Sequence, residues 1–304
     1  MDVSIIIVNW NTQEILSQCL NSIYTSRTAK KFEVWVVDNG SSDASVKMIM
    51  ESYPQVRLIA NKKNVGFAHA NNQAFIQSSG EIVMLLNPDT VIEKDVIENL
   101  VNFLDQTPDV GAVGPRLLNP DGTLQESAYP EPTLMREFWR MFHLDRIYSF
   151  AEYPMHHWSV GKDREVDVLM GACMLIRRKA LDQVGFLDEE FFIYSEEVDL
   201  CTRIRNYGWR LFWIPSVKVI HYGGQSTQQV QQEMFVHLYQ GKILYFRKHY
   251  SPFAVWLYKI VLFMATLARL ALTPIAYFEH SSKKREHLDL SSNYRRLLWS
   301  LPNL

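Results

Sequence analysis

The sequence predicts an α/β protein with a mostly parallel central sheet, flanking helices and a helical C-terminal tail. Continuous apolar runs rich in β-branched residues, at positions 3–8, 32–37 and 82–86, are typical of strands buried on both faces. Segments with helical periodicity separate these runs, and strands that alternate with helices favour a parallel sheet. The pattern after residue 226 is helical. We therefore expect one α/β domain over residues 1–226 and a helical region over 227–304.

The individual elements follow from their local patterns. Thr12 is expected to be the N-cap of a helix that runs to about Tyr24, and the central strand at 82–86 is expected to lead into a helix over 93–106. Asn119-Pro120-Asp121-Gly122 is typical of a hairpin turn. The other predicted elements are a helix at 67–77 and strands at 56–60, 110–115, 166–170 paired with 172–176 around Gly171, 210–213 and 217–220.

Composition and charge narrow the functional class. The chain has 304 residues, of which 47% are hydrophobic and 21% charged, as in a globular protein. Its formal net charge of −2 gives no positive electrostatic field that would attract a polyanion, so we expect no nucleic-acid partner. Three cysteines without a CxxC pair favour a reducing compartment, and each is expected to pack as a small apolar residue. The N-terminus enters a strand pattern without a secretion signal, which favours the cytoplasm.

Polar residues follow successive strands of the predicted sheet, namely Asn9, Asp38, Asn64 and Asp89. Because the carboxyl ends of parallel strands meet at one edge, where α/β sheets bind their ligands, we expect these side chains to converge. Asp89 is the first candidate for holding a metal ion against a diphosphate. Asp38 is a candidate acceptor for a base or ribose, with Asn64 and Gly66 near the phosphates. The alternative for each residue is local turn chemistry, with Asp89 capping the next helix.

Four motifs, in this order, resemble those of the family 2 glycosyltransferases. They are Ser4-Ile5-Ile6-Ile7-Val8-Asn9-Trp10-Asn11, Val37-Asp38-Asn39-Gly40-Ser41-Ser42-Asp43, Asn64-Val65-Gly66-Phe67-Ala68 and Leu86-Asn87-Pro88-Asp89-Thr90. The resemblance covers roughly residues 3–226 and is strongest to the rhamnosyltransferase-like branch of bacterial surface-polysaccharide synthesis. It implies the GT-A fold, a Rossmann-like architecture with a mostly parallel central sheet.

The resemblance also implies roles for particular residues. Asp38 is similar to the acid that contacts the nucleotide base, and Asp89 to the last acid of the DxD motif, which binds a divalent cation, Mg2+ or Mn2+. This chain departs from DxD in having Asn87 at the first position, a neutral and weaker oxygen donor. His221, before a Gly-Gly loop, is implied as a second metal ligand. The residues implied to contact the donor are Val8, Asn9, Asp38, Asn64, Gly66, Asn87, Asp89 and Gly171.

Two adjacent acids, Glu196 and Glu197, are the candidates for the catalytic base. Ser195 is expected to cap a helix whose first turn contains both acids, and acids in that position also suit the helix dipole without any catalytic role. The stretch resembles the family's Glu-Asp motif with Glu197 in the Asp position. Glu197 is therefore the implied base and Glu196 remains the alternative, while Asp199 and Arg203 are interpreted as a structural ion pair.

The C-terminal region contains an apolar stretch, 253–278, that is interrupted by Lys259, Arg269 and Pro274. Because cations are costly at the centre of a membrane-spanning helix, we expect a helix that lies in or against the membrane interface. The basic run Lys283-Lys284-Arg285 would add attraction to anionic lipid. The alternative is helices that pack on the catalytic domain or on a second subunit; an oligomer is possible.

Together these observations predict an inverting glycosyltransferase at the cytoplasmic face of the membrane. The resemblance implies a nucleoside-diphosphate sugar as donor, dTDP- or UDP-linked and with rhamnose as the favoured sugar, and a glycan or lipid-linked oligosaccharide as acceptor. Asn87 and the Glu-Glu pair leave open a non-catalytic carbohydrate-binding or assembly subunit on the same fold. A nucleotidyltransferase is disfavoured, because residues 9–17 lack the Gly-rich loop with Arg and Lys that it needs.

Overall fold

The computed structural model describes residues 1–273 and 281–304, without the side chains of 281–286 and 303. Its residues form two compact units. The first comprises Met1–Glu131, Tyr153–Phe192 and Glu196–Gln229, and the second comprises Pro132–Glu152, Ile193–Ser195 and Val230–Leu304. The second unit thus includes two internal segments in addition to the C-terminal region.

The N-terminal elements of the first unit alternate between strand and helix, as predicted. They are β1 (Val3–Asn9), α1 (Gln13–Tyr24), β2 (Phe32–Asp38), α2 (Ser45–Ser52), β3 (Arg57–Ala60), α3 (Phe67–Gln77) and β4 (Ile82–Leu86). The strands pair in parallel in the order β3-β2-β1-β4. The register pairs Asn9 with Asp38, so the polar ends of β1 and β2 lie side by side.

The later elements extend this sheet with mixed pairing. In chain order they are β5 (Thr90–Ile92), α4 (Val96–Gln106), β6 (Val110–Leu118), β7 (Leu124–Gln125), β8 (Ala128–Tyr129), α5 (Leu134–Met141, in the second unit), β9 (Arg164–Glu165), β10 (Val168–Leu169), β11 (Cys173–Arg177), α6 (Arg178–Val184), α7 (Glu196–Asn206) and β12 (Arg210–His221). The sheet order continues from β4 through β11, β6 and β12 to β5, with β11 antiparallel to both its neighbours. The expectation of an α/β fold with a parallel core is confirmed.

Three local predictions were wrong, each because a long-range pairing decided the element. The helix expected from residue 93 begins at Val96, because residues 90–92 form strand β5 against the end of β12. The strands expected at 210–213 and 217–220 are one strand, β12, with a register shift between Ile214 and Lys218. The segments on either side of Gly171 do not pair with each other, since β10 pairs with β8 and β11 pairs with β4 and β6.

The uninterrupted apolar character of the central strands reflects burial on both faces. Side chains alternate along β1, so that Ile5 and Ile7 pack with α1 on one face while Ile6 and Val8 pack with α3 on the other. The cysteines lie in the same cores, and burial raises the pKa of the Cys19 thiol to about 12. The prediction that they are packing residues is confirmed.

The second unit contains α5 and the helices α8 (Gln231–His249), α9 (Pro252–Leu272) and α10 (Ser281–Ser300). The Ser251 hydroxyl accepts a hydrogen bond from the Ala254 amide at 3.3 Å and caps α9. Glu137 of α5 is buried and binds Lys242 of α8 at 2.7 Å, and it also pairs with Arg140. These contacts explain why residues 132–152 join the C-terminal helices. Residues 274–278 of the predicted apolar stretch lie outside the described residues.

Candidate active site

The carboxyl ends of β1 and β2 form the first part of the candidate site. The Asn9 amide donates to Asp38 Oδ2 at 2.9 Å, and the Ser41 backbone N–H donates to Asp38 Oδ1 at 3.0 Å. These two donors fix the buried Asp38 carboxylate and leave only part of its acceptor capacity for a ligand. Thr12 occupies the N-cap position of α1, as predicted, but its hydroxyl donates to Asn9 Oδ1 at 2.6 Å and makes no capping bond to the helix. Val8 packs into the core.

Asn39 organises the loop that carries Asn64 and Gly66, a role that the sequence reading missed. Its amide nitrogen donates to Asn64 Oδ1 at 2.8 Å and to the Gly66 carbonyl at 3.2 Å, while its oxygen accepts from the Val65 amide at 3.0 Å. Gly66 has a φ of +92°, and a Cβ there would lie 2.9 Å from the Phe192 ring. The loop is thus rigid and requires glycine at this point. The Asn39-Gly40 pair is the sequence feature from which the role of Asn39 in this loop could have been predicted.

The corner after β4 brings Asp89 next to His221. Thr90 pairs with His221 in the β5–β12 ladder, and the Tyr222 amide donates to the Asp89 carbonyl at 2.9 Å. As a result His221 Nε2 lies 3.2 Å from Asp89 Oδ1, and both side chains are buried. The Asn87 amide nitrogen is 3.5 Å from the same Nε2. Three residues that the sequence analysis singled out therefore meet, and Asp89 does not cap α4, whose N-cap position is Asp95.

These residues fit a divalent cation. A carboxylate oxygen and an imidazole nitrogen suit Mn2+. Mg2+ is usually held by one or two carboxylates, with waters and substrate phosphates as its other ligands. In the described part of the chain, no three His, Cys, Asp or Glu side chains form a closed metal cluster. A two-residue set at a sheet edge is consistent with a cation held jointly by protein and a diphosphate.

The two candidate bases differ in their surroundings. Glu196 is 5% exposed, and its burial, followed by the nearby Glu197, raises its pKa well above the ordinary value. Glu197 is half-buried, and a Cβ on Gly171 would contact its Cβ at 3.4 Å. Gly171 precedes Ala172, whose carbonyl accepts a hydrogen bond from the backbone N–H of Asn87 at 2.9 Å. Glu197 therefore lies near Gly171, the residue that precedes the backbone partner of Asn87.

The start of α7 departs from a simple N-cap. Tyr194 and Ser195 have φ values of 69° and 71°, whereas an N-cap residue is normally extended. Ser195 therefore does not have the predicted capping geometry. Arg203 donates to Asp199 at 2.8 Å and to the carbonyls of Val184 and Phe186, which confirms the structural ion pair.

The fold is that of solved GT-A glycosyltransferases. The mannosyltransferase PcManGT from Pyrobaculum calidifontis, solved with GDP-Man and Mn2+, superposes with a TM-score of 0.58 at 21% identity, covering 99% of this chain and 84% of that one. TarS 1-349 of S. aureus gives a TM-score of 0.55 at 16% identity, covering 100% of this chain and 92% of that one. These likenesses show that the chain has the GT-A fold.

The family follows from sequence. The model of glycosyl transferase family 2 matches residues 4–185. The N-acetylglucosaminyl-diphospho-decaprenol L-rhamnosyltransferase of Mycobacterium tuberculosis is 31% identical over 227 residues, covering 66% of this chain and 69% of that protein. The rhamnosyltransferase WbbL of Escherichia coli K12 is 23% identical over 240 residues, covering 77% and 88%. The chain belongs to glycosyltransferase family 2.

Proposed function

We propose that this glycosyltransferase inverts the anomeric centre of a nucleoside-diphosphate sugar as it transfers the sugar to an acceptor hydroxyl. The acceptor oxygen forms a bond to the anomeric carbon, the bond from that carbon to the diphosphate breaks, and the acceptor proton passes to Glu197. The observation that supports this proposal is the position of Glu197, which lies so close to Gly171 that an added Cβ there would be 3.4 Å from the Glu197 Cβ, while the next residue, Ala172, accepts from the Asn87 backbone N–H.

Glu197 suits the role of base better than Glu196. A general base must be ionised before it accepts a proton. Burial, followed by the neighbouring Glu197, raises the pKa of Glu196, which disfavours its ionised form. In this arrangement Glu196 is the more buried acid in the first turn of α7, and the half-buried Glu197 meets the acceptor.

Asp89 and His221 would hold the divalent cation, with Asn87 beside them. When bound, the cation neutralises charge on the leaving diphosphate. Asn87 contributes no charge, so the protein supplies fewer anionic ligands than a DxD motif does. Asp38 and the Asn64–Gly66 loop, both fixed by local hydrogen bonds, would hold the base or ribose and the phosphates.

The donor and acceptor are proposed from the named relatives. Two of them are rhamnosyltransferases, and the name of one specifies a diphospho-decaprenol acceptor. We therefore expect a rhamnosyl donor, dTDP- or UDP-linked, and a lipid-linked oligosaccharide acceptor in cell-surface polysaccharide synthesis.

A panel of nucleotide sugars tests the proposal. The full chain is incubated with each donor and with Mn2+, Mg2+ or chelator, and donor hydrolysis and binding are both measured. Metal-dependent consumption of one donor is the expected result. Binding without consumption, even after lipid-linked acceptor is added, would favour the non-catalytic carbohydrate-binding alternative. Failure to bind any nucleotide would contradict the roles of Asp38 and Asp89 together.

The second unit supports placement at a membrane surface. Of the described helices, α9 has the length and composition to cross a membrane, with a mean hydropathy of 1.7. One face of it, which includes Tyr258 and Leu262, is buried within the unit. The opposite face exposes a continuous apolar stripe at helical spacing, formed by Phe253, Trp256, Phe263, Met264, Leu267 and Leu272. A helix packed on one side and apolar on the other suits the membrane interface.

Vesicle sedimentation tests this placement. The wild-type chain should sediment with vesicles that contain anionic lipid. A Trp256→Glu/Phe263→Glu variant should lose most of that binding, whereas Ile76→Glu, at a more exposed apolar residue on α3, should keep it. Equal binding by all three proteins would overturn the interfacial role of α9.

A further inference from the structure

A line of hydrogen bonds runs from the β6–β7 hairpin to the ring of His221. Asp121 Oδ1 accepts from the Thr123 hydroxyl at 2.6 Å, and the Asn119 amide nitrogen donates to that hydroxyl at 2.9 Å. Asn119 Oδ1 then accepts from Gln125 Nε2 at 3.0 Å. Finally, Gln125 Oε1 lies 2.6 Å from His221 Nδ1.

The direction of each bond in this line is determined by the first. An ionised carboxylate can only accept, so the Thr123 hydroxyl must donate to Asp121. The hydroxyl oxygen is then the acceptor for Asn119, and the amide of Asn119 is oriented with its oxygen toward Gln125. The amide of Gln125 is in turn oriented with its oxygen toward the imidazole. An amide oxygen only accepts, so His221 Nδ1 carries the proton.

The consequence appears on the other side of the ring. With the proton on Nδ1, a neutral His221 presents a lone pair at Nε2. That atom lies 3.2 Å from Asp89 Oδ1, a second acceptor, and 3.5 Å from the Asn87 amide nitrogen, a donor. Two buried acceptors that face each other at this distance leave both lone pairs unsatisfied, and a cation bound beside them would satisfy both.

We propose that Gln125 is a positioning residue that holds His221 in the Nδ1–H tautomer, with Nε2 directed as a ligand toward the cation on Asp89. The identity of the ion in this inference rests on the proposed function. The tautomer of His221 does not, because it is a property of the chain without metal. Residues that orient a metal-binding imidazole through its other nitrogen commonly change metal affinity by about 10- to 100-fold when removed.

The first experiment reads the tautomer directly. The full chain is labelled with 15N in histidine, and the ring nitrogens of His221 are assigned by comparison with a His221→Gln variant, at alkaline pH and without metal. The expected spectrum has a protonated Nδ1 and an unprotonated Nε2. Gln125→Leu should shift the population toward Nε2–H, while Gln125→Glu, which keeps an acceptor, should retain the wild-type pattern. A protonated Nε2 in the wild-type chain would overturn the proposal.

The second experiment measures Mn2+ affinity by the electron paramagnetic resonance signal of the free ion, with a nucleoside diphosphate present. Gln125→Leu should weaken binding at least tenfold, and Gln125→Glu should bind as tightly as wild type or more tightly. Gln73→Leu is the matched control, because Gln73 is a half-buried glutamine that pairs with Asn61 at 2.8 Å. Unchanged Mn2+ affinity in Gln125→Leu would contradict the positioning role. The correct tautomer in a chain that consumes no donor would instead count against the proposed function alone.

Discussion

His221 and Asp89 face each other at the end of the sheet, with Nε2 and Oδ1 3.2 Å apart, because Thr90 and His221 are partners in the β5–β12 ladder. The two residues are far apart in the sequence, and neither belongs to a local motif with the other. The short strand β5 therefore converts an acidic corner after β4 into a two-residue candidate site for a cation.

Replacement of Asp89 by Asn should abolish most metal-dependent turnover. The amide keeps the shape of the side chain but removes the only negative charge in the Asn87, Asp89 and His221 set. We expect turnover to fall by about 10²-fold or more, the range found when one preorganised electrostatic contact is removed. Initial rates over a range of Mn2+ concentrations provide the measurement. Asp105→Asn, at an exposed ion pair with Lys30, is the control and should leave the rate unchanged.

Glu197→Gln and Glu196→Gln should have different kinetic effects. Loss of a general base commonly costs about 10²- to 10⁴-fold in turnover, so Glu197→Gln should lower kcat by that range and leave donor binding intact. Glu196→Gln replaces a group whose raised pKa disfavours its ionised form, and it should retain most of the activity. Steady-state kinetics with both variants distinguishes them. A larger loss in Glu196→Gln than in Glu197→Gln would reverse the assignment of the base.

Glu196→Gln should also change the pH dependence of stability. Burial and Glu197 raise the pKa of Glu196 in the folded chain above its ordinary value of 4.5, so the folded state binds this proton more tightly than the unfolded state does. The stability that results is present below about pH 4.5 and is lost as the pH rises through the raised pKa. The Gln variant avoids that loss. Its unfolding midpoint in urea should therefore exceed that of the wild type by a margin that grows as the pH rises above about 4.5 and levels off once the raised pKa is passed. Parallel pH profiles would contradict this account.

Glu137 should stabilise the helical unit above acidic pH. Burial alone would raise the pKa of Glu137, but Lys242 and Arg140 outweigh it and lower the pKa below the ordinary value of 4.5. Its contribution is therefore present above about pH 4.5 and is lost as the pH falls through the lowered pKa. Glu137→Gln should cost about 3 kcal/mol near neutral pH, as removal of one partner from a buried ion pair does. Thermal unfolding at pH 7 and at pH 3 should show a larger difference between variant and wild type at pH 7.

Asn39→Ala should weaken donor binding more than turnover at saturation. The change removes the contacts that hold Asn64, Val65 and Gly66, and each buried group left without a partner costs about 1–3 kcal/mol. We expect the donor KM to rise about tenfold or more, with a smaller effect on kcat. Asn102→Ala, at an asparagine that bonds Glu98 on α4, is the control. An unchanged KM in Asn39→Ala would show that the loop is held by other contacts.

The amino-acid sequence by itself determined the parallel core and the edge at which the site lies. Uninterrupted runs of β-branched residues predict strands that are buried on both faces. The polar residues that follow such strands lie at the carboxyl edge of the sheet. Asn9, Asp38 and Asp89 were expected at one edge on that basis, and the strand register pairs Asn9 with Asp38. The resemblance to the family added His221 and the Glu196–Glu197 pair as candidates.

Only the tertiary structure decided which of these residues meet. The short strand β5 has no periodicity that the sequence would reveal, and it forms because β12 provides its hydrogen-bond partners. The sequence therefore predicted only a helix after β4 and not this strand. Gln125 lies in a two-residue strand and acquires its role only from the ring of His221. Local sequence patterns predict which residues are buried and whether a segment is a helix or a strand. Strand register, hairpin contacts and the direction of a hydrogen bond depend on residues that are distant in the sequence.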